Sequence, residues 1–323
     1  MTYETFLKVT EKRIKDFLPE GYQNKMAVIE PVTRNNGIMQ EGFSMRSGKE
    51  KESVPVLYLE PFYEEYRRGR KLEEIWRELA EQYEAAQENI QDISIPVEYE
   101  KIKDSLYVSV CNAGQNSQRL QAVPHDMKED LALTYHCRVS LFDEETGDIM
   151  VNNRLLYHWG IKKEQLQKDA WNNMKKMIPP VFVTMEEMIE HLEGTTSFEE
   201  IAEKKSREIE DIGTDSIFYV LTNTEVDCGA VYMFDEDLMA RIADRLDFNL
   251  LVLPSSTHEI LILKETKGID LLDLQSMVEE INRDFVKPED KLSDEVYRYD
   301  KETHSLKAVM GQDSLQSWQI KLE

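Results

Sequence analysis

The sequence predicts an α+β protein in two sub-domains, with small mixed or antiparallel sheets and helices packed on one side. Three observations predict it. Stretches of strand-type apolar patterning alternate with stretches of helical period, the strands come in adjacent pairs around turn residues, and no βαβ unit repeats. A chain of 323 residues with 41% hydrophobic side chains has enough apolar surface for two cores. The parts are read as an N-terminal domain over 1–192, an acidic connecting segment over 193–212 and a C-terminal domain over 213–323.

The chain opens with a helix, because Phe6, Thr10, Ile14 and Phe17 recur on one face before Pro19-Glu20-Gly21 stops it. Met26–Thr33 and 38–45 read as a β-hairpin, since Asn35-Asn36-Gly37 between them tolerates positive φ. A third apolar run, 54–59, leads into a long helix with Leu72, Ile75, Trp76, Leu79 and Tyr83 inward. The aromatic series from Tyr58 to Tyr83 has helical spacing and is read as core rather than as a ligand groove. Further on, 131–142 and 148–153 flank a second hairpin turn, and Leu166, Ala170, Met174 and Met177 mark a helix ended by Pro179-Pro180. The stretch 186–211 carries ten acidic and three basic residues and reads as short surface helices. After it, 217–221 and 230–234 are expected as strands around the turn 223–229. Met239, Ile242, Ala243 and Leu246 form a helical face, and 250–253 with 260–263 are fully apolar strands. A last helix is expected to carry Leu271, Leu274, Val278, Ile281 and Phe285 inward, before a terminal hairpin from 296–299 and 305–310.

Charge narrows the function classes. Sixty-three acidic against 39 basic side chains leave a net charge of −24. Such a surface repels phosphate backbones and anionic lipid, so no nucleic acid and no membrane is expected as a partner. An unknown protein or small ligand is expected instead; cationic ones are electrostatically possible, although such a charge speaks to solubility before it speaks to function. The three cysteines, Cys111, Cys137 and Cys228, are too widely spaced for a CxxC pair, and Cys137 and Cys228 read as buried thiols. Their odd number and the absence of an apolar leader or a membrane-length stretch place the chain in the cytoplasm.

No cofactor and no metal are expected. The run from Gly42 to Lys49 has five residues between its glycines, where a phosphate loop needs four, and Glu50 stands where Ser or Thr should hold Mg²⁺. The six histidines show no HxH, HxxH or HExxH spacing. In the acidic turn 143–148, Arg154 falls where a calcium loop needs its bidentate Glu.

One segment concentrates chemistry. Leu253-Pro254-Ser255-Ser256-Thr257-His258-Glu259 places hydroxyls, an imidazole and a carboxylate between two buried strands. Ser255, Ser256, Thr257, His258 and Glu259 are therefore the candidate recognition loop, and Asn35, Asn36 and Asn223 a candidate secondary surface. A hydrolase using Ser255 and His258 is the alternative, since a nucleophilic serine needs a base and an orienting acid. Against it, Glu259 starts a strand whose side chain points away from its neighbour's, and Ser and Thr commonly cap such turns. A third alternative is an acidic nucleic-acid mimic for a basic partner. No catalytic residue is assigned.

Several motifs carry a resemblance. Asn35-Asn36-Gly37-Ile38, Leu57-Tyr58-Leu59-Glu60, Asn152-Asn153-Arg154-Leu155-Leu156, Trp159-Gly160-Ile161, Tyr219-Val220-Leu221-Thr222-Asn223 and the Leu253–Glu259 segment span most of the chain. Together they resemble an uncharacterised family of domains of unknown function, abundant in gut clostridia. Thr257 replaces the branched apolar residue expected in the last motif. The C-terminal half is also distantly similar to an uncharacterised bacillar family. The resemblance implies a bacterial cytoplasmic protein, often encoded near mobile elements, and implies no activity. The functional expectation is a non-catalytic binding or regulatory module.

Overall fold

In the computed structural model, which describes residues 1–48, 54–91, 98–140, 146–194, 209 and 212–309, the chain divides into two compact units. One is Met1–Ile95 with Val139–Gly147, and the other is Pro96–Arg138 with Asp148–Glu323. Most of the 193–212 segment lies outside the described residues, as do Lys49, Glu50, Glu144, Glu145 and Met310.

In the first unit, helix α1 (Tyr3–Arg13) starts at Thr2, whose side chain accepts from the Thr5 amide. Phe6, Thr10 and Ile14 are buried on the face that the sequence spacing predicts. Strands β1 (Met26–Thr33) and β2 (Met39–Arg46) pair antiparallel, Thr33 opposite Met39 and Met26 opposite Arg46. Asn36 and Gly37 supply the left-handed turn between them, at φ 57° and 68°. Strand β3 (Leu57–Tyr58) is shorter than the apolar run containing it, and helices α2 (Glu60–Arg67) and α3 (Leu72–Gln91) follow. Phe43, Met45, Ile75, Leu79 and Tyr83 close the core with α1. Two polar contacts tie it together: Trp76 Nε1 donates to Thr10 Oγ1 at 3.0 Å, and the Met45 amide donates to the Tyr83 hydroxyl at 2.9 Å. Gly42, which opens the phosphate-loop look-alike, lies inside β2. A β-carbon there would come within 2.5 Å of Val56 Cγ1, so its role is close packing.

The second unit holds two sheets. The smaller one comprises strands β4 (Leu106–Asn112), β5 (His125–Lys128), β6 (Leu131–Ser140) and β7 (Thr146–Met150), β6 and β7 counted here with the unit that holds most of their residues. The short helices α4 (Tyr99–Ile102) and α5 (Ser117–Leu120) precede and follow β4 in sequence. The strand order of this sheet is β4-β6-β5, with β7 also on β6. Helices α6 (Asn153–Trp159) and α7 (Lys163–Met177) lead to strand β8 (Pro180–Thr184) and helix α8 (Met185–Leu192), which Thr184 and Glu187 start with a capping box. Next come strand β9 (Phe218–Asn223), the 3₁₀ run Gly229–Phe234, helix α9 (Glu236–Leu246), strands β10 (Leu250–Leu253) and β11 (Ile260–Lys264), helix α10 (Leu271–Asp284), and strands β12 (Tyr297–Asp300) and β13 (Ser305–Ala308). They form a sheet in the order β13-β12-β10-β11-β9-β8. The described strand registers are all antiparallel, so the chain is α+β.

Strands β8 and β9, on either side of the acidic segment, are hydrogen-bonded neighbours, with Phe182 opposite Leu221. All four β10 residues are buried, and α10 covers the Leu251 and Leu253 face with Leu271, Leu274 and Val278. Two local expectations are corrected. Residues 230–234 form a 3₁₀ run rather than a strand; packed against β9 and β4, four consecutive residues, Ala230 to Met233, are buried, and they carry no period to read. Phe285, expected inward, is 82% exposed, because α10 ends at Asp284 and buries Asn282 instead, whose Nδ2 donates to Ser293 O at 2.7 Å. No described helix is long and apolar enough to cross a membrane.

Candidate functional site

Three segments of the second unit meet at one end of the six-stranded sheet: the β9 turn 223–229, the β10–β11 loop 254–259, and 287–293 after α10. The first is shaped by buried Asn223. Its Oδ1 accepts from the Glu225 and Asp227 amides at 3.0 and 3.3 Å, and its Nδ2 donates to Asp227 O at 2.5 Å. The turn holds two left-handed residues that are not glycine, Val226 at φ 53° and Cys228 at φ 54°. For a β-branched residue such as Val226 this conformation is strained, by roughly 1–3 kcal/mol. Gly229 ends the turn because a β-carbon there would lie 2.7 Å from His258 O and 2.8 Å from Thr222 C.

Backbone bonds hold the second segment on both sides. His258 O accepts from the Gly229 amide at 3.0 Å and from Thr222 Oγ1 at 2.8 Å, while Thr257 O accepts from the Ala230 amide at 3.2 Å. On the other side the Thr257 amide donates to Asp290 O, the Leu292 amide to Ser255 O, and the Ser293 amide to Pro254 O, at 2.9–3.0 Å. Ser256 Oγ accepts from the His258 amide at 3.0 Å, a serine turn within the loop. Ser256 and Thr257 are buried, and Ser255, His258 and Glu259 are half-buried.

The His258 ring sits between two carboxylates. Its Nδ1 is 2.9 Å from Asp227 Oδ1, and its Nε2 is 3.3 Å from Asp290 Oδ1. The hydrogen bond to Asp227 raises the His258 pKa, burial opposes the rise, and the Asp290 charge adds to it. The same bond holds the Asp227 carboxyl below its ordinary range, whereas burial raises that of Glu259. Cys228 is half-buried rather than buried, and burial with the Asp227 charge pushes its thiol up to about 12, so it stays protonated.

The candidate residues thus fall into two groups. Asn223 and the Ser255–Glu259 loop are joined through Asp227 and His258, with Asn223 working from inside the turn. Asn35 and Asn36 belong to the first unit, where Asn36 is buried and forms the β1–β2 turn. The sequence alone did not point to Asp227 and Asp290. Both sit in turn-rich acidic stretches, Glu225-Val226-Asp227-Cys228-Gly229 and Lys287-Pro288-Glu289-Asp290, which read as ordinary loops. Among the described residues no group of three or more His, Cys, Asp or Glu is arranged to hold a metal ion.

Fold and site define an α+β chain on antiparallel sheets, with one histidine fastened between carboxylates at a sheet end. A family model described as "Family of unknown function (DUF5688)" matches residues 3–301, nearly the whole chain, and the chain belongs to that family. No curated protein and no solved structure matches it.

Proposed function

We propose that the chain is a non-catalytic recognition protein of the bacterial cytoplasm, which reads a cationic segment of a protein partner through the Ser255–Glu259 loop. The observation that carries this reading is His258 between Asp227 and Asp290. A general base needs a free nitrogen lone pair within reach of the hydroxyl it activates. Here each ring nitrogen faces a carboxylate oxygen, and both carboxylates favour the protonated ring. Ser256 accepts a backbone amide, as a turn residue does rather than a nucleophile. What remains is a rigid, half-exposed loop flanked by Asp227, Asp290 and Glu259, on a chain of net charge −24. That combination attracts lysine- and arginine-rich segments.

The test compares a fluorescently labelled lysine- and arginine-rich peptide on the full chain, on Asp290→Asn, and on Glu302→Gln, which removes the same charge at a remote turn. Fluorescence anisotropy should show several-fold weaker binding for Asp290→Asn and little change for Glu302→Gln. Equal losses in both would reduce the effect to bulk charge and sink the proposal. Labelling of Ser255 or Ser256 by a fluorophosphonate would put the hydrolase reading ahead.

A further inference from the structure

A second site lies away from that loop, at the far end of the 3₁₀ run. There the β5–β6 turn, the last residues of the run and the β12–β13 turn enclose a cavity of about 370 Å³. We propose that this cavity binds a small amphipathic cation: an amine carried on a compact aromatic body.

The floor is apolar and soft. Met233, Met239 and Tyr299 are 1%, 0% and 2% exposed, and Phe234 and Leu306 form walls above them. Methionine is unbranched and polarisable, and its sulfur packs favourably against aromatic rings, so this floor suits a flat apolar body of variable outline. At the mouth, Met127 is 56% exposed. The volume is at the small end of ligand pockets, which restricts the occupant to one or two rings.

The rim chooses the sign of the charge. Glu129 and Glu236 both line the cavity, and among the described residues neither has a hydrogen bond or an ion pair. Glu129 is held in a left-handed turn conformation, at φ 56°. Lys128, the one lysine lining the cavity, lies over the Phe234 ring at 6.0 Å from its centre. Tyr299 remains a phenol and shares a hydrogen bond with His304 Nδ1 at 3.1 Å. Its pKa is raised, by burial first and then by the charges of Asp244, Glu236 and Asp300. These surroundings form a slot of mixed polarity over a methionine and aromatic floor, with two carboxylates against one lysine in its lining. An ammonium group completes that arrangement and a carboxylate does not.

The experiment uses the full chain with two probes of the same shape and opposite charge, tryptamine and indole-3-propionate, read by isothermal calorimetry and by thermal shift. Tryptamine is expected to bind saturably and raise Tm, at least ten-fold tighter than indole-3-propionate. The double variant Glu129→Gln with Glu236→Gln is expected to weaken tryptamine several-fold. Saturable binding that does not distinguish the two probes would overturn the cation assignment, and no saturable tryptamine binding would overturn the site. Unchanged tryptamine affinity in a folded double variant would overturn the role of the carboxylates. Should that variant fail to fold, the comparison of probes on the native chain still decides the proposal.

Discussion

His258 Nδ1 lies 2.9 Å from Asp227 Oδ1, and the two residues come from different loops, brought together by the pairing of β9 with β11 and by the bonds of Thr222, Gly229 and Ala230 to the 257–258 carbonyls. The contact pins the strained 223–229 turn to the 254–259 loop. Asp290, on the other side of the ring, ties in the segment after α10.

This relationship predicts a pH dependence with a definite sign. The His258 pKa is raised, so its contribution to stability is complete below the unfolded histidine value of about 6.5 and is lost as pH rises through the higher folded value. The Asp227 pKa is lowered, so its share is complete above about 3.9 and is lost as pH falls through the folded value. The pair therefore contributes fully between about pH 4 and 6.5. Asp290 and Glu259 also face the ring, and ionised Glu259 supports the imidazolium further. Because the pair is partly exposed, its worth is about 1 kcal/mol or less. Urea unfolding of the native chain and His258→Ala at pH 5.5 and pH 9 should show the larger difference at pH 5.5. A difference as large at pH 9 would mean that packing, not charge, holds the loop.

The two loop serines should separate. Ser256 Oγ accepts from the His258 amide within a buried turn, so Ser256→Ala is expected to cost about 1 kcal/mol. Ser255 contributes its carbonyl to the Leu292 amide, which alanine keeps, and Ser255→Ala should stay within about 0.5 kcal/mol. Denaturation midpoints that reverse this order would contradict the turn assignment.

Gly229→Ala is expected to destabilise by roughly 1–3 kcal/mol, since the added methyl meets backbone atoms of His258 and Thr222. Gly213→Ala is the control, because nothing lies within 4 Å of a β-carbon there. Equal melting temperatures for the two variants would show that the turn gives way.

Limited proteolysis should cut first within 186–211, a stretch whose acidic, Gly- and Ser-containing composition is that of a connecting segment. The two fragments are expected to co-elute on gel filtration without denaturant, because β8 and β9 on either side pair in one sheet. Fragments that separate freely would mean that this pairing is weak once the connection is broken.

The sequence by itself determined the elements whose signal is local. Thr10 on the inward face of α1, the left-handed turn at Asn36-Gly37, and the apolar strands β10 and β11 around the Ser255–Glu259 loop were all legible, because spacing and turn chemistry act within a few residues. Membership of a family of unknown function was expected from the sequence as well, and the family match over residues 3–301 agrees. Only the tertiary structure decided the rest. Strands β4 and β8 and the 3₁₀ run 229–234 are buried on nearly all sides, so apolarity there carries no period from which type can be read. Asp227, His258 and Asp290 meet because sheet register and the return of the chain after α10 bring three loops to one end. Residues separated by 31 and 32 positions in sequence then share one imidazole. Spacing along the chain holds no trace of such a meeting, since it is set by packing between elements and not by any one of them.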